Sequence, residues 1–280
     1  MPTLVAVLLN PSLLFHWNAL SKLFMANLWV EFGKGVDENG REEKQRLLMT
    51  PGNEPEGVVL DLGAGEHLLP ISCIAELFEK RALSNYLGHG HTLNYLDRTR
   101  VTHYIALEPN ILMHSRIRKA ADEAGYRESD GSLVILSCGA EDSASILSSL
   151  ATAGLSTTRP PVDTIISIHT LCTVPDPQRT VRYLVRDVLK PGGILLMYEH
   201  VLNPREDARW WQKLWAPFWA ILFDGCRMDR ETDVILRSLE VESADGAGKE
   251  NAWKEWKTWG KTGETEESLF WHIAGRFVKK

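Results

Sequence analysis

The stretch Val58-Val59-Leu60-Asp61-Leu62-Gly63-Ala64-Gly65 constrains this chain more than any other. Three apolar, strand-favouring residues run into a carboxylate, and two glycines follow one residue apart. Such a run reads as a buried parallel strand ending in a tight turn, where backbone approaches a ligand closely. Two further stretches extend the theme. Tyr104-Ile105-Ala106-Leu107-Glu108 is a second apolar strand closed by a carboxylate, and Lys190-Pro191-Gly192-Gly193 stops a helix just before the apolar run Ile194–Tyr198. In an open α/β sheet, an acid at the tip of the second strand accepts hydrogen bonds from two ribose hydroxyls. A ligand carrying a nucleoside, bound at the carboxyl ends of the strands, is the implication.

Strand and helix patterns alternate from there on. Strands are predicted at 58–62, 103–108, 133–137, 163–168 and 194–201, with helices near 69–85, 110–124, 142–151 and 177–189. This alternation predicts an α/β fold, a parallel sheet with crossover helices. Ala252 to Trp259 and Leu269 to Val278 read as an antiparallel pair closing one edge. Leu87 to Thr102 exceeds the usual connection length and reads as a surface insertion. A short helix is predicted around Glu42 to Leu48.

The type of nucleoside ligand follows from what is missing. A dinucleotide turn needs a third glycine, and Leu68 stands at that position with His67 inside the turn. No Gly-Lys-Ser/Thr run exists for a phosphate loop. An adenosine without phosphate remains, and S-adenosylmethionine fits, since its ammonium and sulfonium suit the acidic Asp61. On these residues the chain resembles the class I S-adenosylmethionine-dependent methyltransferases, from about residue 55 to 280. That resemblance implies a Rossmann-like seven-stranded sheet and a domain over residues 51–280. It assigns Asp61, Gly63, Gly65 and Glu108 to the cofactor. It also assigns the corner Gly139-Ala140-Glu141 to the adenine ring and adds His169 at the end of the fourth strand. Asp142 or Glu141 caps the next helix while the other faces the cofactor.

The composition fits one large globular domain: 280 residues, 44% apolar and 24% charged, with a net charge of −6. With no basic surplus, nucleic acid is a poor partner. Cys73, Cys138, Cys172 and Cys226 are scattered without a Cys-x-x-Cys pair, which argues against a zinc or disulfide framework and for a reducing, intracellular setting. His89 and His91 form a His-x-His pair with no third ligand nearby, so no metal is assigned. Residues 1–50 form an N-terminal helical segment. Trp17, Leu20, Phe24 and Leu28 recur there at helical spacing, and its apolar run is too short to span a bilayer. Two readings stay open: a lid packed on the domain, or a helix lying in a membrane interface.

For the chemistry, His169 and His200 are the candidate bases, each at the carboxyl end of a strand. Glu199 would orient His200 only if the backbone turned, because neighbours on an extended strand face opposite ways. Between strand five and the tail, Trp210, Trp211, Trp215, Phe218, Trp219 and Phe223 form a Trp-rich segment. Core packing, an apolar cover over the acceptor and contact with lipid are all open to it. Leu171-Cys172-Thr173-Val174, Glu199-His200-Val201 and the run Asp224 to Thr232 resemble the methyltransferase-like seven family of alkyl thiol methyltransferases. That family sits on the endoplasmic reticulum and lipid droplets. The resemblance implies a small, fairly apolar acceptor with a thiol preferred, in the cytoplasm or on the cytoplasmic face of those membranes, with peripheral attachment through the N-terminus. It also takes in fungal-type relatives of secondary metabolism with nitrogen or oxygen acceptors. Binding of S-adenosylmethionine without turnover is the remaining alternative.

Overall fold

β1 (Gly57–Leu62) is buried from its second residue onward, because both faces of the strand are covered. Val58, Leu60 and Leu62 point into one apolar cluster with Ile165, Leu195 and Met197. Val59 points into a second cluster with Tyr104, Leu196 and Tyr198 on the other side. A sheet buried on both faces needs near-continuous apolar strands, which is why these segments show no polar alternation. The computed structural model describes residues 11–12, 39–64, 91–109, 111–155, 160–222, 225–243 and 248–280. The helical repeat of Trp17, Leu20, Phe24 and Leu28, the expected helix at 69–85, and Gly65, His67, Leu68 and His89 lie outside them, as does the side chain of His91.

The strands β2 (Val101–Leu107), β3 (Leu133–Leu136), β4 (Val162–Ile168), β5 (Leu189–His200), β8 (Trp253–Gly260) and β9 (His272–Lys279) join β1 in a seven-stranded sheet of order β3-β2-β1-β4-β5-β9-β8. β1 to β5 run parallel, and β9 is antiparallel to both its neighbours, as the tail pattern predicts. The order reverses between β1 and β4, and a ligand crevice opens at the carboxyl ends of such a switch point. β6 (Glu240–Glu242) and β7 (Lys249–Asn251) make a separate ribbon.

Two of the helices begin at aspartate caps. α1 spans 39–49, and its Leu47 and Leu48 join the second cluster. α2 (His114–Glu123) follows β2. α3 (Ser143–Thr152) is capped by Asp142, which accepts from the Ser145 amide at 3.1 Å, so Glu141 is the residue left to face the corner. α4 (Pro177–Tyr183) has Asp176 as cap and proline in its first turn, then continues as a π turn through Val188. α6 is Thr232–Arg237.

Two expectations change, and one choice left open by the sequence is decided. Lys190–Gly193 does not separate helix from strand but bulges within β5. The register jumps from Val162–Leu189 to Thr164–Ile194, with Gly192 at φ +76° and Lys190 paired to Asp163 at 2.7 Å. The described part of the 87–102 insertion is not purely surface either. His91–Tyr95 forms a 3-10 turn that buries Thr92 and Leu93, because Asp61 draws a hydrogen bond from Thr92. Finally, α5 (Glu206–Leu222) does not bury its tryptophans in the core. Trp210 is 58% exposed, Trp215 48% and Phe218 57%, whereas Ala208, Gln212 and Ala216 form the buried edge. The Gln212 amide donates to the carbonyls of Val201, Met228 and Leu269 and accepts from the Asn203 amide. Two alanines and an anchored glutamine seat the helix closely, so the bulky face turns outward.

Candidate active site

At the switch point, Gly63 adopts φ +66°, and a Cβ there would lie 2.5 Å from the Thr170 hydroxyl oxygen. The Thr170 hydroxyl donates to the Leu62 carbonyl at 2.8 Å, while the amides of Gly63 and Ala64 both donate to Leu107 at 3.0 and 3.2 Å. The turn is thus stitched to β2 on one side and to the segment after β4 on the other, and only glycine fits. Asp61 lies inside it, accepting from the Tyr104 hydroxyl at 2.5 Å. Burial pushes its carboxyl up to about 6, against the hydrogen bonds of Tyr104 and Thr92 and the charge of Lys44. Glu108 is 1% exposed at the tip of β2. Its amide donates to Leu136 and its carbonyl lies 2.9 Å from His114 Nε2, which fixes the backbone that carries the carboxylate. After β3, Ala140 is buried, and the Glu141 carboxylate folds over Gly139 where a side chain would otherwise stand.

At the other end of the crevice three imidazoles meet. His169 follows β4, His200 ends β5, and His272 starts β9 directly opposite His200. Ring centroids are 4.7 Å apart for His169 and His200, 4.6 Å for His200 and His272, and 5.4 Å for His169 and His272. Burial holds His169 well below its ordinary pKa, reinforced by His200 and His272. Burial likewise lowers His272 to about 4, partly offset by its hydrogen bond to Glu264. Both are therefore neutral at pH 7. Tyr198 stacks on His272, and Phe270 lies beside His200 and Trp219.

Glu199 plays no part in orienting His200. Its carboxylate points to the opposite face of the sheet, where it accepts from the Ser167 hydroxyl at 2.6 Å and from the amides of Thr170, Leu171 and Cys172 at 3.0, 3.0 and 3.2 Å. It holds the turn that carries His169. Cysteines far apart in sequence also converge, with Cys172 and Cys226 sulfurs 3.6 Å apart and Cys226 Sγ 3.8 Å from His200 Nδ1.

Residues 34–234 match a family model described as a methyltransferase domain. The chain belongs to that family. The α/β fold of this methyltransferase also aligns with the YcgJ protein of Bacillus subtilis, at 12% identity and a TM-score of 0.51, covering 86% of this chain and 99% of that one. Geranyl diphosphate C-methyltransferase from Streptomyces coelicolor A3(2) aligns at 11% identity and a TM-score of 0.50, over 86% of this chain and 79% of that one. In sequence, 72 residues are 39% identical to thiol S-methyltransferase TMT1B of Rattus norvegicus. That match takes in 25% of this methyltransferase and spans only 29% of the length of the relative.

The cofactor of this domain is S-adenosylmethionine, and the donor end suits it. Asp61 near the end of β1, Glu108 at the tip of β2 and Glu141 after β3 are all carboxylates, a set that favours a cationic ligand over a diphosphate. The sequence-predicted Asp61, Gly63, Glu108 and Glu141 each sit in a short motif at a strand tip, whereas Thr92 and Thr170, which hold the turn and its carboxylate, carry no such signal. Sequence reasoning also misses His272 and Glu264. The closing strand was legible, but its register opposite His200 was not.

Proposed function

We propose that this methyltransferase transfers a methyl group to the thiol of a small, fairly apolar molecule. Bound S-adenosylmethionine supplies an activated methyl on a sulfonium, so the protein has chiefly to align acceptor and donor and to exclude water. The observation that supports the thiol assignment is that no carboxylate of β5 backs His200, because Glu199 is spent on Ser167 and three amides of the opposite face, while burial lowers the basicity of His169 and His272. An imidazole whose pKa is about 4 removes a proton from an alcohol poorly. A thiol, with a pKa near 8.5, is already partly ionised at neutral pH and needs far less help. The partial likeness to thiol S-methyltransferases points the same way.

On this reading Glu108 accepts the ribose hydroxyls, and Gly63 with Gly65 lets the backbone pass close to the methionine part. Asp61 sets the negative potential for its ammonium. Gly139, Ala140 and Glu141 border the adenine, with His169 between cofactor and acceptor. His200 and His169 line the acceptor side together with Tyr198 and Phe270. The exposed Trp210, Trp215, Phe218 and Ile221 face of α5 supports contact with a lipid surface, the source of apolar acceptors. Among the described residues no helix is long and apolar enough to cross a membrane.

A turnover screen tests the proposal, with S-adenosylmethionine offered alongside alkyl thiols, phenols and amines. S-adenosylhomocysteine and a methyl thioether should form with the thiols. Faster turnover of phenols or amines would overturn the thiol assignment, and none with any acceptor would overturn methyl transfer itself.

A further inference from the structure

Each of the three histidines at the acceptor end offers a ring nitrogen, and the three nitrogens lie within 4.8 Å of one another. Their surroundings are those of ligands rather than of packing residues. His169 is the only described non-glycine residue with positive φ, at 52°, a conformation that costs of order 1 kcal/mol and persists where the fold demands it. Its Nδ1 is buried with no hydrogen-bond partner among the described residues. His272 is locked from behind: Glu264 accepts from Nδ1 at 2.6 Å with one oxygen and from the His272 amide at 2.8 Å with the other. This leaves Nε2 as the outward atom. A carboxylate behind an imidazole is the arrangement that orients metal-binding histidines and raises their donor strength.

We infer that His169, His200 and His272 hold one zinc-class divalent ion, whose open position takes the sulfur of the acceptor. This deepens the thiol-methyltransferase reading and rests on it. Three imidazoles leave one vacant corner of a tetrahedron, the arrangement of a catalytic rather than a structural site. Borderline-soft zinc accepts sulfur, whereas magnesium and calcium prefer oxygen. Metal–nitrogen bonds of about 2.0–2.1 Å require nitrogens roughly 3.3 Å apart, so binding draws the rings together from their present spacing. The acceptor R–SH enters as R–S⁻: a metal–sulfur bond forms, the S–H bond breaks, and the proton passes to water. The ion remains divalent throughout, so neither oxidant nor reductant is needed. Cys172, His200 and Cys226 form a rival set, also within 4.8 Å. That set is closed to an acceptor, because Cys172 is fully buried and Cys226 nearly so, and it competes for the same His200.

The test uses the full chain. Metal content is measured as purified, and chelator-treated protein is then titrated with Co²⁺ by visible absorption. About one equivalent should bind, giving a tetrahedral spectrum. His169→Ala and His272→Ala should each weaken binding at least tenfold, and Glu264→Gln by roughly 10–100-fold, with far-UV circular dichroism and urea unfolding showing that the variants are folded. Cys172→Ser and Cys226→Ser should bind as the parent does. Butanethiol, but not butanol, should add a sulfur-to-cobalt charge-transfer band. The site is overturned if the parent takes up no Co²⁺, if uptake survives in the histidine variants, or if only the cysteine variants lose it. A bound ion without the thiol band overturns the acceptor role. Full thiol methylation by metal-free protein would sink the site and leave the thiol reading standing. A thiol band without methyl thioether in turnover would do the reverse.

Discussion

The donor and acceptor ends proposed for this molecule are built by opposite routes. At the donor end, Asp61, Gly63, Glu108 and the Gly139–Glu141 corner each belong to a short run at one strand tip. Much of their work is done by backbone, a φ of +66° at Gly63 or the paired amides on Leu107. At the acceptor end, His169, His200 and His272 come from three strand ends, and only β9, returning antiparallel along β5, brings the third to the others. Backbone chemistry is written locally and leaves a motif. Side-chain convergence is written in the register of distant strands and leaves none.

The largest effect expected is on the acceptor-end scaffold. Glu199→Leu leaves the Ser167 hydroxyl and the amides of Thr170, Leu171 and Cys172 without their acceptor. At about 1–3 kcal/mol per stranded group, offset by relief of a buried carboxylate, urea unfolding should show a net loss of about 3–5 kcal/mol. A loss below 1 kcal/mol would mean that the turn holds itself.

Next comes a pH dependence at the donor end. Asp61 in the folded protein keeps a proton up to about pH 6, whereas its ordinary value is 3.8. Between those values the folded state binds the extra proton. The contribution of this group to stability is therefore highest in acid, falls as pH rises through the window, and is flat above it. The whole change is about 3 kcal/mol. Urea titrations of the parent and Asp61→Asn across this range should differ by that slope, and parallel curves would remove Asp61 as its source. In chelator-treated protein His272 acts with the opposite sign. Its folded value of about 4 lies below the ordinary 6.5, so its contribution is lost as pH falls from 6.5 towards 4. The two ends thus pull against each other in mild acid.

Smaller still is the cofactor contact. Glu108→Ala should weaken S-adenosylmethionine binding by about 1.5–3 kcal/mol, roughly tenfold to over a hundredfold by calorimetry, with little change in unfolding. Unaltered affinity would take Glu108 out of the site. The smallest effect on stability belongs to α5. Trp215→Ala should shift it by no more than about 0.5 kcal/mol because the ring is half exposed, while retention on lipid vesicles should drop. Retention equal to that of the parent would detach this face from the membrane reading.

Most of the sheet was legible, because a strand covered on both faces must be apolar throughout and few other segments are. The two-residue period of a strand also separated Glu199 from His200 correctly. Helical spacing could not say which side of α5 meets the protein. A stripe of tryptophans is the obvious core face by hydrophobicity, yet the fold seats Ala208, Gln212 and Ala216 instead, where small side chains and one amide fit three backbone carbonyls. Thr92 was read as surface for a similar reason: its partner Asp61 lies in another element.

From the chain alone came the α/β alternation, the glycine corner and the carboxylates at the strand tips. Each depends on neighbours a few residues apart, and local sterics and burial fix them. The tertiary structure alone decided that three imidazoles share one space, that Glu264 backs His272, and that two distant cysteines meet. These contacts follow from strand order and register, which arise from packing the whole sheet and are encoded in no single segment.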